Sequence, residues 1–495
     1  MRAEALFLFA AYIPVCLAQT THAPTIQEIH ARLMTNVSSY SQAGHEFEIR
    51  VGGPIQFGTP TLLHPGTVLR GKVSVAHGVG LGIRRDRAVV QLEFERCVVP
   101  GHLIATCSIQ LVAVENSRET VAKANRIRGI LAASNPNSLF QGLWFKPLGL
   151  MGSRSPAGLT GPIGALQSRI APHPIGAAIT VASRLLFFTL PNPEIEMPKG
   201  TELILRVTAS DFGAEALLPS FHRIPLSALL TSDQDATFRD LPVGIKAANG
   251  TPVADRINFA FLGSRDEVER AFLSAGWTTA DPLTRKSFRK SYEAFTALRC
   301  YAKAPVSPLY YQQSLPDMVF QKTFNSMAKR HHIRIWALPA KDGGDPVWLG
   351  AATHDVAIVF DWNKLALTHK IDGYLDRERS KVLNDLDASG CIEKLSMVNR
   401  PRMAGDSTDG DLAVADLKPC DPNSSEVPVV AMQRPKCPMP ARIARRFVLE
   451  TRHYFTRGSA YYWAYRGVRS VVTGLRGIGR IPTNAPPSPT VYGLR

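Results

Sequence analysis

The sequence predicts a multidomain chain in which an N-terminal all-β domain, a barrel or a sandwich, is followed by an α+β domain. Three observations carry this expectation. The length of 495 residues exceeds what one core usually holds. The 36 Pro and 37 Gly mark frequent turns, and in the first half these separate short β-rich runs. From about residue 256 the pattern shifts to capped amphipathic helices alternating with strands. An apolar fraction of 45% with 20% charged residues is enough to build sizeable cores.

Taken in order, residues 1–18 read as an export signal. Arg2 precedes an apolar stretch over 5–17, and Cys16-Leu17-Ala18 places small residues at the two positions a signal peptidase reads. Glu4 offsets Arg2, so a retained N-terminal anchor is the alternative; Val15 before Cys16 argues against a lipoprotein signal. On either reading the body of the chain is expected outside the cytoplasm, in the periplasm or the extracellular space, soluble or peripheral to the membrane. No later stretch reaches the roughly 20 clean apolar residues of a spanning helix, and the best one, 175–190, is broken by Arg184. Six cysteines follow the signal. Cys97 with Cys107 and Cys420 with Cys437 are plausible local disulfides, against the alternative of buried free thiols.

Residues 19–45 are polar and read as a linker or short helix, and 46–208 as a β-rich domain with a long Gly/Pro-rich insertion at 127–182. Strands are expected around 68–75, 88–94 and 103–114, with Pro100-Gly101-His102 turning a hairpin that brings Cys97 opposite Cys107. A faint repeat relates Pro65-Gly66-Thr67-Val68-Leu69-Arg70 to Pro198-Lys199-Gly200-Thr201-Glu202-Leu203, each a turn feeding a barrel or sandwich strand. This layout resembles the β-barrel of TrbI-type conjugation proteins, from which no functional residue is carried over.

A polar connection over 209–255 leads to the second domain, expected at 256–395. Ser264 and Glu267 form a capping box, Val268, Ala271, Phe272 and Ala275 a buried stripe, and Gly276 the stop of a first helix. A second helix over 283–298 carries Phe288, Tyr292 and Phe295 as an expected core stripe. Strands follow at 332–338, with Ile333, Ile335 and Ala337 on one face, then at 347–352 and 356–360. A last helix over 373–389 buries Leu375, Val382, Leu383 and Leu386. Residues 396–495 read as a Pro-rich and basic tail.

Residues 259–393 resemble the LssY C-terminal domain family. The resemblance rests on Phe261-Leu262-Gly263-Ser264, Ala275-Gly276-Trp277, Ala280-Asp281-Pro282 and Ala304-Pro305-Val306-Ser307-Pro308-Leu309-Tyr310. It continues through Phe320-Gln321-Lys322, Arg330-His331-His332-Ile333-Arg334-Ile335-Trp336, Val347-Trp348-Leu349-Gly350-Ala351-Ala352-Thr353, Thr368-His369-Lys370-Ile371-Asp372 and Asp376-Arg377-Glu378-Arg379, in the family's order. It implies an α+β fold and an association with type I secretion. In the family the domain is fused to membrane modules of the DedA and phosphatidic acid phosphatase types; here a β domain accompanies it. The resemblance implies no established chemistry.

The candidate polar site comprises His331, His332, His354, Asp355, His369 and Asp372, with Asp376 and Glu378 nearby. Imidazoles and carboxylates of this mixture could hold Zn²⁺ or Mn²⁺, whose bound hydroxide could attack a phosphoester; His369 and Asp372 are the proposed metal ligands. Adjacent histidines on a strand point to opposite faces, so only one of His331 and His332 can join a given site. Each His has the alternative of a hydrogen-bonded structural role, Asp372 that of a helix N-cap, and Asp376 with Arg379 that of an ordinary helix-face pair. Ser307 between prolines lacks a nucleophile elbow, and no Walker-type loop occurs.

Lys and Arg exceed Asp and Glu by 57 to 41, a net +16 that would draw the chain to an envelope protein or anionic surface. No nucleic-acid module is recognised. Two functions stand: a non-enzymatic envelope binding or assembly component, preferred, and a metal-assisted phosphoester hydrolase.

Overall fold

The computed structural model describes residues 24–130, 192–209, 218–219, 238–247 and 255–420, less short breaks at 57–59, 81–84, 86, 99–105, 242, 297–299, 339–345, 362–365 and 401–407, together with positions 444 and 448. The expected export signal, most of the 127–182 insertion and Cys437 lie outside the described residues.

The N-terminal unit is built from β1 (Thr25–Leu33), β2 (Val37–Ser38), β3 (Glu46–Pro54), β4 (Pro60–Thr61), β5 (Val68–His77), β6 (Val89–Phe94), β7 (Cys97–Val98), β8 (Thr106–Val114), β9 (Thr120–Ala122), β10 (Arg126–Arg128), β11 (Glu196–Met197) and β12 (Glu202–Ala209). Hydrogen bonding runs β8-β12-β1-β3-β5-β6-β10-β9, antiparallel throughout, and β9 returns to the side of β8. This is a near-closed eight-strand barrel, and β7 hairpins onto the end of β8. At the closure Asn125 accepts from Leu111 N at 2.8 Å through its side chain, and its carbonyl accepts from Leu92 N at 3.2 Å.

Pleat alternation makes the core: Ile29, Ala31 and Leu33 on β1, Phe47, Ile49 and Val51 on β3, and Leu203, Leu205 and Val207 on β12 all point inward. The two repeat-related turns are real, with Gly66 at φ 86° and Gly200 at φ 89° feeding β5 and β12. The expected linker at 19–45 is corrected: Thr25–Leu33 is a central barrel strand whose outward residues alternate with three small or aliphatic inward ones.

The C-terminal unit adds β13 (Leu218–Pro219), which pairs back with β4, then β14 (Gly244–Ala247), β15 (Asp255–Arg256), β16 (Phe259–Leu262), α1 (Arg265–Ser274), β17 (Thr278–Thr279), α2 (Arg285–Thr296), β18 (Leu309–Tyr310), β19 (Met318–Lys322), β20 (Arg330–Leu338), β21 (Val347–Asp361), β22 (Ala366–Ile371), α3 (Leu375–Ala388), β23 (Ile392–Val398) and β24 (Leu412–Leu417). Its main sheet runs β17-β19-β20-β21-β16-β24-β23 with β22 on β21, and β16–β24 is the parallel pair in an otherwise antiparallel array. A small sheet, β15-β14-β18, lies with the core on the other side.

The Ser264 capping box is present, with Val268, Ala271 and Phe272 buried behind it and Gly276 at φ 79° past the end. Four expectations are corrected. Phe288 is 69% exposed, so α2 does not bury the whole aromatic stripe; the side chains of Tyr292 and Phe295 lie outside the described residues. The strands expected at 347–352 and 356–360 are one strand, β21, with a register shift between Asp355 and Ala357. The tail does not begin at 396, because β24 inserts beside β16. Cys420 pairs with Cys391, not Cys437, since β23 and β24 are neighbours and bring their ends together; Cys97 pairs with Cys107 as expected. No helix among the described residues is long and apolar enough to cross a membrane.

Helix α3 joins the two units. It packs on β21 and on β3 of the barrel, and Asn384 Nδ2 donates to the Pro54 carbonyl. Gly53 permits this approach: a Cβ there would lie 3.0 Å from the Asn384 carboxamide carbon. In consequence polar α3 residues Glu378, Lys381, Asn384 and Asp385 are all buried.

Candidate functional site

The antiparallel pairing of β20 with β21 sets Arg330 opposite Asp355, His331 opposite His354 and His332 opposite Thr353. Because successive side chains alternate faces, the sequence-flagged residues separate into two groups. His331 and His354 face α3 and the barrel, their rings stacked with centroids 4.1 Å apart. His332, Arg330 and Asp355 face away from them.

On the barrel-facing side His331 Nδ1 lies 2.6 Å from Glu378 Oε2 on α3. Its Nε2 is 3.3 Å from Glu115 Oε1, contributed by the barrel just beyond β8. His354 Nε2 contacts Asn116 Oδ1 at 2.9 Å and lies 3.8 Å from Glu115 Oε1. His30, on the outward face of β1, places Nδ1 3.9 Å from Glu115 Oε2. Glu115, His331 and His354 offer ligand atoms all within 4.8 Å of one another. Burial alone would lower the His331 pKa, but Glu378 and Glu115 outweigh it and push it up to about 10. Burial would raise Glu115, yet the three imidazoles hold it well below the usual carboxylate range. Burial, then the His331 charge, keeps His354 low, and burial followed by the Lys381 charge brings His30 to about 4.

Beside this group lies a buried charge network that crosses between the units. Glu202 Oε1 accepts from Arg32 Nη2 at 2.7 Å and pairs with Lys322 Nζ at 2.7 Å; its Oε2 lies 3.3 Å from Lys381 Nζ. Asp385 pairs with Lys381, with Lys322 at 3.0 Å and with Arg32 at 3.2 Å, and accepts from Trp277 Nε1 at 3.0 Å. Arg32 and Glu202 are direct cross-strand partners on β1 and β12. The cations overcome burial and hold both carboxylates below their usual range.

On the opposite face Asp355 Oδ2 accepts from Arg330 Nε at 3.0 Å, with His369 Nδ1 at 3.3 Å and His332 Nδ1 at 3.6 Å. His332 Nε2 contacts Thr353 Oγ1 at 2.7 Å. Burial lowers both His332 and His369. Asp372 Oδ1 accepts from Tyr374 N at 3.1 Å, in the turn before α3; the N-cap is Tyr374, so the Asp372 cap is not formed. Asp376 pairs with Arg379 at 3.3 Å and accepts from Asp409 N.

The structure thus brings His331 and His354 together, sets His332, Asp355 and His369 in a second group, and leaves Asp372 in a turn. Sequence reasoning missed Glu115, His30 and Asn116. No local motif could have found them, since Asn116 and His354 are 238 residues apart.

Comparison with known proteins gives one family: the model described as the LssY C-terminus matches residues 240–417. No curated protein and no solved structure matches this chain. The match begins before the expected 256 and extends past 395 to take in β23 and β24, which complete the main sheet. Residues 240–417 of this chain are an LssY C-terminal domain.

Proposed function

We infer that this chain is an exported cell-envelope protein in which the barrel and the LssY C-terminal domain work as one binding or assembly unit, not as an enzyme. The observation that carries this reading is the buried Arg32–Glu202–Lys322–Asp385–Lys381 network, which joins the two domains through charges that have no access to a substrate. Most of the polar residues flagged in the sequence serve internal bonds in the same way: Asp355 holds Arg330, and His332 meets Thr353. An oxidising compartment is supported by the Cys97–Cys107 and Cys391–Cys420 pairs, since disulfides persist there. The net +16 suits an anionic partner or surface.

Cell fractionation and co-sedimentation of the purified chain with phosphatidylglycerol or phosphatidylcholine vesicles test this reading. Export, and salt-sensitive binding to the anionic vesicles alone, would support it. A cytosolic chain with an intact N-terminus would overturn the location. The hydrolase reading draws on the proximity of Glu115, His331 and His354. Zn²⁺- or Mn²⁺-dependent turnover of bis(p-nitrophenyl) phosphate, lost in His331→Ala, would put that reading in place of the binding one.

A further inference from the structure

We propose that Glu115, His331 and His354 bind one zinc-like divalent ion that ties the barrel to the LssY C-terminal domain. Two imidazoles and a carboxylate are a donor set zinc accepts, with metal–ligand distances of about 2.0–2.1 Å. A tetrahedral ion at that distance holds its ligand atoms about 3.4 Å apart. His331 Nε2 and Glu115 Oε1 are already 3.3 Å apart, and His354 Nε2 is 3.8 Å from the same oxygen. Adjustments of a few tenths of an ångström suffice at these two separations, and the stacked rings, 26° apart in plane, must swing so that both Nε2 lone pairs converge on the ion.

A second, independent observation points to a ligand. His331 Nε2, which has the Glu115 carboxylate at 3.3 Å but no well-formed hydrogen bond, and Glu115 Oε2 are buried and unsatisfied within the ligand set, and His30 Nδ1 and Glu378 Oε1 are buried and unsatisfied beside it. Orphaned buried polar atoms are costly, so a concentration of them at one point marks a place where an atom from outside the chain completes the bonding. The surroundings fit as well. Glu378 holds His331 Nδ1 at 2.6 Å, the carboxylate–histidine contact that fixes the tautomer of a metal-bound imidazole and leaves Nε2 free for the ion. On binding, the Nε2 proton of His331 passes to solvent, while His354, a neutral imidazole, shifts its single ring proton from Nε2 to Nδ1 with no net release and exchanges its contact with Asn116 Oδ1 for the metal. Since Glu115 comes from the barrel and both imidazoles from β20 and β21, the binding energy acts across the domain junction.

The test uses the full chain, stripped with chelator and titrated with Zn²⁺, following metal content and thermal melting. One equivalent per chain and a rise in Tm are expected. Glu378→Gln should weaken affinity by about 10- to 100-fold by loosening His331, and Glu115→Gln and His354→Gln should abolish the one-equivalent uptake. Co²⁺ added to the wild type alone should give the visible absorption of a tetrahedral site, a readout that does not depend on the variants folding. The proposal is overturned if the folded wild type takes up no zinc and its Tm does not respond. It is equally overturned if well-folded Glu115→Gln and His354→Gln still bind one equivalent with unchanged affinity. The outcome is separable from the proposed envelope role, which rests on localisation and vesicle binding.

Discussion

Replacing Glu202 by Gln keeps the side-chain volume and removes one of the two anions that balance Arg32, Lys322 and Lys381. Asp385 would then be the one carboxylate of the network left beside Arg32, Lys322 and Lys381. Removing one partner from a buried ion pair costs about 3–5 kcal/mol, because the surviving charges are shielded from water and left with too little opposite charge. That is a large part of the 5–15 kcal/mol that typically holds a protein folded. Guanidinium unfolding followed by tryptophan fluorescence is a suitable assay, since Trp277 donates to Asp385 inside the network. Adding Lys322→Met to Glu202→Gln removes the surplus cation and should restore more than half of the loss. The pH dependence follows from the depressed carboxylates. Their contribution is full above the ordinary values of 4.5 for Glu202 and 3.8 for Asp385, and is lost as pH falls through the lower folded values. The variant should therefore differ from the wild type by a constant amount above about pH 5 and converge with it only in stronger acid. A loss under about 1 kcal/mol in the single variant, or no recovery in the double, would refute the view that these charges weld the domains.

Three further outcomes are expected. Asp387, near the C-terminal end of α3, has its pKa raised by burial from 3.8 to about 6 despite Lys418, so its charge opposes folding at neutral pH. Asp387→Asn should stabilise by up to about 3 kcal/mol at pH 7 and by nothing below about pH 4, and equal melts at pH 7 would exclude this. Joint replacement of Cys391 and Cys420 by Ser opens a loop with a sequence separation of 29 and should cost about 3.5 kcal/mol by chain entropy. Non-reducing peptide mapping that recovered Cys420 joined to Cys437 would contradict the pairing. His369, 26% exposed beside Asp355, should give up about 1 kcal/mol as His369→Ala and leave zinc uptake at one equivalent. Loss of zinc in that variant would move the ion to the other face of the sheet.

Much of the fold was legible because strand and cap signals are local. The alternation on β5 and β8, the facing Cys97 and Cys107, the Ser264 box and the turns at Gly66 and Gly200 each depend on residues close in sequence. Strand β1 escaped notice because its inward face offers just three apolar residues, Ile29, Ala31 and Leu33, beside a buried Gln27, while His30 and Arg32 add to the polar look of the stretch. Those two residues point outward but are largely shielded from water: Arg32 meets Asp385 of the LssY C-terminal domain, and His30 lies beside the barrel's Glu115 within reach of the Lys381 charge.

The same ambiguity governs α3 and the site. A helical hydrophobic stripe identifies the face that enters a core, but it cannot say whether the polar face meets solvent or a second polar surface. In α3 it meets the barrel, so Lys381 and Asp385, which lie off the helix's apolar stripe, are a buried junction in the structure. The histidines follow suit. Strand alternation does separate His331 from His332, as residue spacing requires. What it cannot supply is Glu115, which arrives on a different domain and turns a pair of stacked imidazoles into a three-donor group. Local chemistry in the LssY C-terminal domain thus provides two of the three donors, and the barrel, by docking through Arg32 and Glu202, provides the third. A centre divided in this way should respond to any change that shifts the docking, even one that leaves every ligand in place. Glu202→Gln therefore links the two lines of reasoning: if the ion sits at the junction, the variant that loosens the network should also bind zinc more weakly.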